Sequence, residues 1–176
     1  MPDTNTVTAP AAKLARKFYA HFLDASFGGS SVNYVRLGKD LEEYNEELNP
    51  EVDTAENILG EMSVNHKGYK PQSEVSPYYV YEDDPLCEKL WEIINERKTA
   101  DGCMTTKVDV LLDSTGTVEW AYREDVLVVP TSAGGDTSGV QIPFTIYSVG
   151  NRVAGSFNIS TKTFTPASST SGSSTP

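Results

Sequence analysis

Through much of the stretch from Val108 to Ile159, apolar residues recur at every second position. Val108, Val110 and Leu112 alternate with Lys107, Asp109 and Leu111. After a Ser114-Thr115-Gly116 turn, Val118, Trp120 and Tyr122 alternate with Glu119, Ala121 and Arg123. Asp125 to Val129 continues or restarts that strand, and Ile142, Phe144 and Ile146 alternate with Thr145 and Tyr147. A period of two sends successive side chains to opposite faces of a sheet, so this half of the chain reads as strands. Thr131 to Gly139 reads as a flexible loop. Gly150-Asn151 predicts a two-residue hairpin turn, with Val153, Phe157 and Ile159 leading away from it.

One helix precedes these strands. Asp84 is suited to cap it, Pro85 to open it, and Leu86, Leu90, Ile93, Ile94 and Arg97 mark one face. Arg97 and Lys98 would lie near its C-terminus, where the helix dipole favours cations, which places the helix at about 85–98. Lys13 to Asp24 fits a helical stripe (Leu14, Phe18, Phe22) and a strand alternation (Phe18, Ala20, Phe22) equally well. Ser26 to Ser31 is a loop, Tyr34 to Leu37 a short strand ending at Gly38, and Glu61 to Tyr69 a half-exposed strand carrying Met62 and Val64. One helix and seven or eight strands, without β–α–β alternation, predict a mainly β fold. The expected form is an antiparallel sandwich or barrel with one flanking α-helix. It would occupy 13–166 as one domain, between a flexible N-terminus (1–12) and a Ser/Thr-rich disordered tail (167–176).

Asp40 to Glu61 stands apart from this pattern. It carries nine carboxylates and no Lys or Arg, and Asn49-Pro50 in its middle excludes one continuous helix. It also holds Leu41, Tyr44, Leu48, Val52, Ile58 and Leu59, anchors that a purely disordered acidic segment usually lacks. The stretch reads as a long acidic arm whose apolar residues find their contacts elsewhere, on another subunit.

The formal charge of −11 disfavours a nucleic-acid reader, because such a surface repels polyanions. Two cysteines, Cys87 and Cys103, imply no disulfide framework and fit a reducing compartment. No apolar run suggests a secretory signal or a membrane anchor. His21 and His66 have no Cys or carboxylate at ligand spacing, so neither metal nor cofactor is expected. Asp83-Asp84 is explained by the helix cap. The glycine loop Gly134 to Gly139 lacks the lysine and following helix of a phosphate cradle. With no convergent acid, base or nucleophile, an enzyme is not expected.

Three stretches resemble the major tail protein, the tail-tube subunit, of long-tailed bacteriophages and prophages. The first runs from Tyr34 to Glu61, with Leu37-Gly38-Lys39-Asp40, Glu47-Leu48-Asn49-Pro50 and Asn57-Ile58-Leu59-Gly60-Glu61. The second runs from Tyr79 to Arg97, with Tyr81-Glu82-Asp83-Asp84-Pro85-Leu86. The third runs from Gly135 to Phe164, with Gly150-Asn151-Arg152-Val153 and Lys162-Thr163-Phe164. The resemblance implies two packed β-sheets with one helix on the flank, and six copies closing into a ring whose inner sheets line a channel. Stacked rings would form the tube through which DNA passes without specific binding, in a virion tail built in the host cytoplasm. The implied partners are further copies of the chain and the tape-measure, tail-terminator and baseplate or tip proteins. The family's long loop bridges to a neighbouring subunit, the part the arm at 40–61 would take. Lys13, Arg16, Lys17, Arg97 and Lys98 would be its basic counterparts. Asp109, Glu119 and Asp125, acids on strands, would face an electronegative lumen. The alternative is a monomeric β-sandwich that binds carbohydrate or a receptor through Tyr78, Tyr79, Tyr81 and Trp120.

Overall fold

Twelve strands and one α-helix are found within residues 12–167, the part of the chain that this computed structural model describes. Residues 1–11 of the expected flexible N-terminus and 168–176 of the expected tail lie outside it. The ambiguous N-terminal segment becomes a single 3-10 turn (Arg16–Phe18) followed by strand β1 (Tyr19–Asp24). Before the helix α1 (Pro85–Glu96) come β2 (Tyr34–Leu37), β3 (Glu46–Glu47), β4 (Pro50–Glu56), β5 (Met62–Tyr69) and β6 (Gln72–Val75). After it come β7 (Met104–Leu112), β8 (Val118–Pro130), β9 (Gly134–Asp136), β10 (Gly139–Gln141), β11 (Phe144–Asn158) and β12 (Thr163–Pro166).

The fold is mainly β with one helix, as the alternation predicts. The layers arise from one curled antiparallel sheet, in the order β2-β1-β7-β8-β11-β6-β3, with β12 also paired to β11. β4–β5 and β9–β10 are separate two-stranded ribbons, the second lying inside the expected loop Thr131 to Gly139. β8 and β11, 13 and 15 residues long, run through both halves of the sheet. Gly150-Asn151 does not turn the chain. Both residues have positive φ (117° and 54°), but β8 stays paired on either side of them, so the pair is absorbed as a bulge within β11. A second bulge, at Glu119, puts Leu111 opposite Trp120 but Leu112 opposite Val118.

β1 is covered on both faces, buried from Ala20 to Asp24 with no alternation of exposure. On one side Leu23, Val126, Val128, Phe144 and Ile146 pack with Leu86 and Leu90 of α1. On the other, Ala20, Phe22, Val108 and Val110 pack with Phe157, and Phe164 lies over them. The helix is cut as its caps dictate. The Asp84 carboxylate accepts from the Leu86 N–H at 3.0 Å, and Pro85 follows it. Arg97 adopts the left-handed conformation (φ 52°), and the Lys98 N–H closes on the Ile93 carbonyl at 3.0 Å. The helix thus ends at Glu96, two residues short of the expected 98, with Arg97 and Lys98 beyond its last turn.

Gly155 lets β12 close over β11. A Cβ there would lie 2.4 Å from the Thr165 carbonyl oxygen and 2.5 Å from the Phe164 ring. Gly155→Val is expected to destabilise the fold by about 2 kcal/mol through overpacking. Urea denaturation of the two proteins checks it, with the loss confined to the midpoint and the slope unchanged.

Candidate functional site

β4 and β5 pair over Pro50–Tyr69 into a ribbon that stands off the core. Every residue of β4 is exposed, and in β5 only Gly68 is partly covered. At the root, the Lys70 N–H donates to the carbonyls of Leu48 and Asn49 at 3.1 and 3.3 Å. Asn49, left-handed at φ 43°, and Pro50 break β4 away from β3. The arm is therefore a hairpin, whose second strand lies outside the acidic stretch that first marked it. Its register puts Val52, Met62 and Val64 on one face together with Thr54, Glu56 and His66, and Asp53, Ala55, Ser63, Asn65 and Lys67 on the other. Along the shaft, Glu51 and Asp53 are paired with Lys70 and Lys67.

The tip is a built turn. Asn57 Oδ1 accepts from the N–H groups of Leu59 and Glu61 at 2.9 and 3.0 Å, and Asn57 Nδ2 donates to the Glu61 carboxylate at 2.7 Å. Gly60 supplies the positive φ (80°) that closes it. Central turn positions usually carry polar or flexible residues. Here they carry Ile58 and Leu59, whose relative exposures are 103% and 77%. A two-stranded ribbon is marginal alone in water, and this one exposes Val52, Met62 and Val64 on one face and an apolar tip.

Of the expected anchors, Leu48, Val52, Ile58 and Leu59 are exposed on the arm or its root. Tyr44 is a correction: it is buried in the chain's own core, and Leu41 packs partly against the same cluster. Both fasten the approach to the arm rather than reach outward. Sequence reasoning placed Met62 and Val64 on a strand but missed their place on the arm; the alternation of 62–69 beside the acidic stretch was the available signal. Lys98 is committed to Glu92 and Glu96. Arg97 is exposed, with no carboxylate within ion-pair distance among the described residues.

Asp109 is the second correction. It is buried at 2% exposure and does not face solvent. Asp109 Oδ1 lies 2.7 Å from His21 Nδ1, and Oδ2 lies 3.3 Å from Lys107 Nζ. Lys107 also donates to Glu46 of β3, at the opposite end of the sheet order. The Arg16 guanidinium reaches His21 Nε2 and the Tyr44 carbonyl, each at 3.0 Å. Arginine only donates, so His21 accepts at Nε2 and carries its proton on Nδ1, toward Asp109. Burial pushes the Asp109 carboxyl up, but the His21 hydrogen bond and the Lys107 charge outweigh it and hold it below its usual range. Burial works against the Lys107 ammonium too, and Asp109, Tyr44 and Glu46 more than reverse it. Burial raises the nearby Glu124 carboxyl even though Lys107 and Arg152 oppose the shift. Of the other expected lumen acids, Glu119 is exposed at its bulge, and Asp125 is half-buried and accepts from Asn151 at 2.9 Å.

The aromatic residues do not gather into a platform. Tyr78 is buried, with its hydroxyl on Asp84 at 2.8 Å. The Tyr81 ring is covered by Lys39, and Trp120 packs edge-on against Tyr19 and Tyr122. Cys87 and Cys103 are free and buried, and burial, aided by the Asp84 charge, pushes the Cys87 thiol up to about 11. Among the described residues, no group of three or more His, Cys, Asp and Glu side chains is placed to hold a metal ion. No helix among them is long and apolar enough to cross a membrane.

No protein-family model and no curated protein sequence matches this chain. Solved structures share its fold. A chain in the cryo-EM structure of the anti-feeding prophage cap (the AFP tube-terminating cap) aligns with a TM-score of 0.53 at 12% identity, covering 88% of this chain and 98% of that one. A chain of the PVC sheath/tube terminator, from an extracellular contractile injection system in the extended state, aligns at 0.54 with 8% identity, covering 84% and 100%. A chain of the PVC sheath–tube complex aligns at 0.50 with 10% identity, covering 81% and 90%.

Asp109→Asn is expected to cost about 3–5 kcal/mol at pH 7, because it leaves buried Lys107 short of counter-charge and weakens the acceptor of the His21 Nδ1–H. The folded Asp109 pKa lies below its unfolded value of 3.8, so its stabilisation is full above 3.8 and is lost as pH falls through the folded value. The deficit of the variant therefore shrinks at pH below 3.8. Urea denaturation of both proteins across that range checks the magnitude and the sign.

Proposed function

We propose that this chain is a structural protein of a phage-type tail or related injection apparatus, which joins copies of itself into rings that build or end a tube. The arm carries this reading: a hairpin that exposes apolar residues on one face and at its tip, on a fold shared with chains of tube-terminating and sheath–tube assemblies. Such a ribbon gains stability only by adding its surface to a neighbour. The resemblance in sequence points to six-fold rings of a long, non-contractile tail, whereas the solved structures that share the fold come from contractile systems. Both settings support a tail-associated structural role, and we read that role as part of a tube. Its partners would then be its own copies and the tape-measure, terminator and baseplate proteins that border a tube. The net charge of −11 supports an electronegative channel wall past which DNA slides without sticking. No catalytic step is part of this role. The dispersed aromatic residues lend nothing to a sugar-binding platform.

The root bond between Lys70 and Leu48 makes the arm removable, since the chain leaves and re-enters the sheet at one point. Replacing residues 50–69 with a short glycine turn is expected to leave a folded monomer with a thermal midpoint within a few degrees of the full chain. The full chain is expected to form rings or hollow tubes in negative-stain electron microscopy and to elute as a large species on sizing. A full chain that stays monomeric at every concentration, or an armless variant that assembles as well, overturns the proposal.

A further inference from the structure

The tip of the arm and the end of α1 are chemically matched, although they lie on different parts of the chain. Between the C-terminal end of α1 and β8 is a hollow of about 400 Å³, within the size range of sites that bury a small apolar ligand. Ile94, Ala100, Leu127, Val129 and Pro130 line it, and Arg97 stands exposed among them. No arm residue lines it. The tip offers the complement: Ile58 and Leu59 side by side on a turn fixed by Asn57, with Glu56 and Glu61 beside them. The acids of the shaft are matched by Lys67 and Lys70, whereas Glu56 and Glu61 have no cation within ion-pair distance among the described residues. The uncompensated negative charge of the arm is thus concentrated next to its apolar knob, and an uncompensated positive charge sits at the edge of the apolar hollow.

We infer that Ile58 and Leu59 of one copy seat in the hollow between α1 and β8 of a second copy, with Arg97 facing Glu56 and Glu61. The inference rests on the self-assembly reading above and names the surface that receives the arm. Because knob and hollow are separate patches, each copy gives with one and receives with the other. Such a head-to-tail contact closes into a ring if its rotation closes, and otherwise extends as a stack.

The test mixes two full-length chains, one carrying Leu59→Cys and the other Val129→Cys, under mild oxidation. Both positions are exposed, and the native thiols are buried. A disulfide-linked heterodimer in excess of either homodimer is the expected result. Leu59→Asp is expected to weaken assembly roughly tenfold or more. Arg97→Glu is expected to weaken it about fivefold, and Glu61→Arg to restore the loss. Arg97→Gly, which suits the left-handed backbone at that position, keeps the helix end intact while removing the charge, and should weaken assembly similarly. Tubes that form without heterodimer excess overturn this docking alone. A mixture that neither assembles nor cross-links overturns the self-assembly reading with it.

Discussion

One ion pair spans the curl of the sheet, from buried Lys107 on its third strand to Glu46 on its last. The curled sheet begins at β2 and ends at β3, and no backbone pairing joins these two edges among the described residues. Lys107, on the third strand in sheet order, bonds both Asp109 on its own strand and Glu46 on the last. A buried ammonium is costly unless it is fully partnered. The curvature that brings β3 over β7 is therefore the curvature that satisfies Lys107. Arg16, through His21 and the Tyr44 carbonyl, fastens the same seam from the N-terminal side. Tyr44 and Glu46 lead directly into the arm, so the seam also sets where the arm leaves the body.

This division of labour separates a settled body from an unsettled appendage. The body pairs its buried charges internally and packs apolar clusters on both sides of its sheet. The hairpin does neither at its tip, although its turn is held by several bonds from one asparagine. Order without burial suits a surface meant for another molecule. It lowers the conformational cost of docking, because the turn needs no further ordering when it meets a partner. The same separation lets a chain of high negative charge associate with itself, since the contact can form where opposite charges lack local partners.

What was legible in the sequence was local. The alternations of Val108–Leu112 and Ile142–Ile146 marked strands because each strand buries a face. Asp84-Pro85 marked the helix start because a cap acts over a few residues. The far contacts were not legible: Glu46 meets Lys107 across 61 positions and His21 meets Asp109 across 88. Only the topology brings them together, so Asp109 read as an exposed strand acid. Gly150-Asn151 was misread because positive φ serves a turn or a bulge equally, and the continuing partner strand decides which. The arm was delimited by charge, whereas its actual unit is a strand pair; the second strand carries no acids and so fell outside. Tyr44 was grouped with the arm by position, although its ring belongs to the core.

The way the arm is rooted also makes its length an adjustable quantity. Leu48 and Lys70 are held together by a backbone bond, so residues added or removed beyond them leave the pairing of β3 with β6 unchanged. Each residue pair inserted into the ribbon would lengthen its reach by about 3.4 Å and, because side chains alternate, turn the apolar stripe to the opposite side. Two pairs would restore the facing at a reach about 7 Å longer. Related chains could thus span different gaps between neighbours in discrete steps, with the seam around Lys107 left as it is.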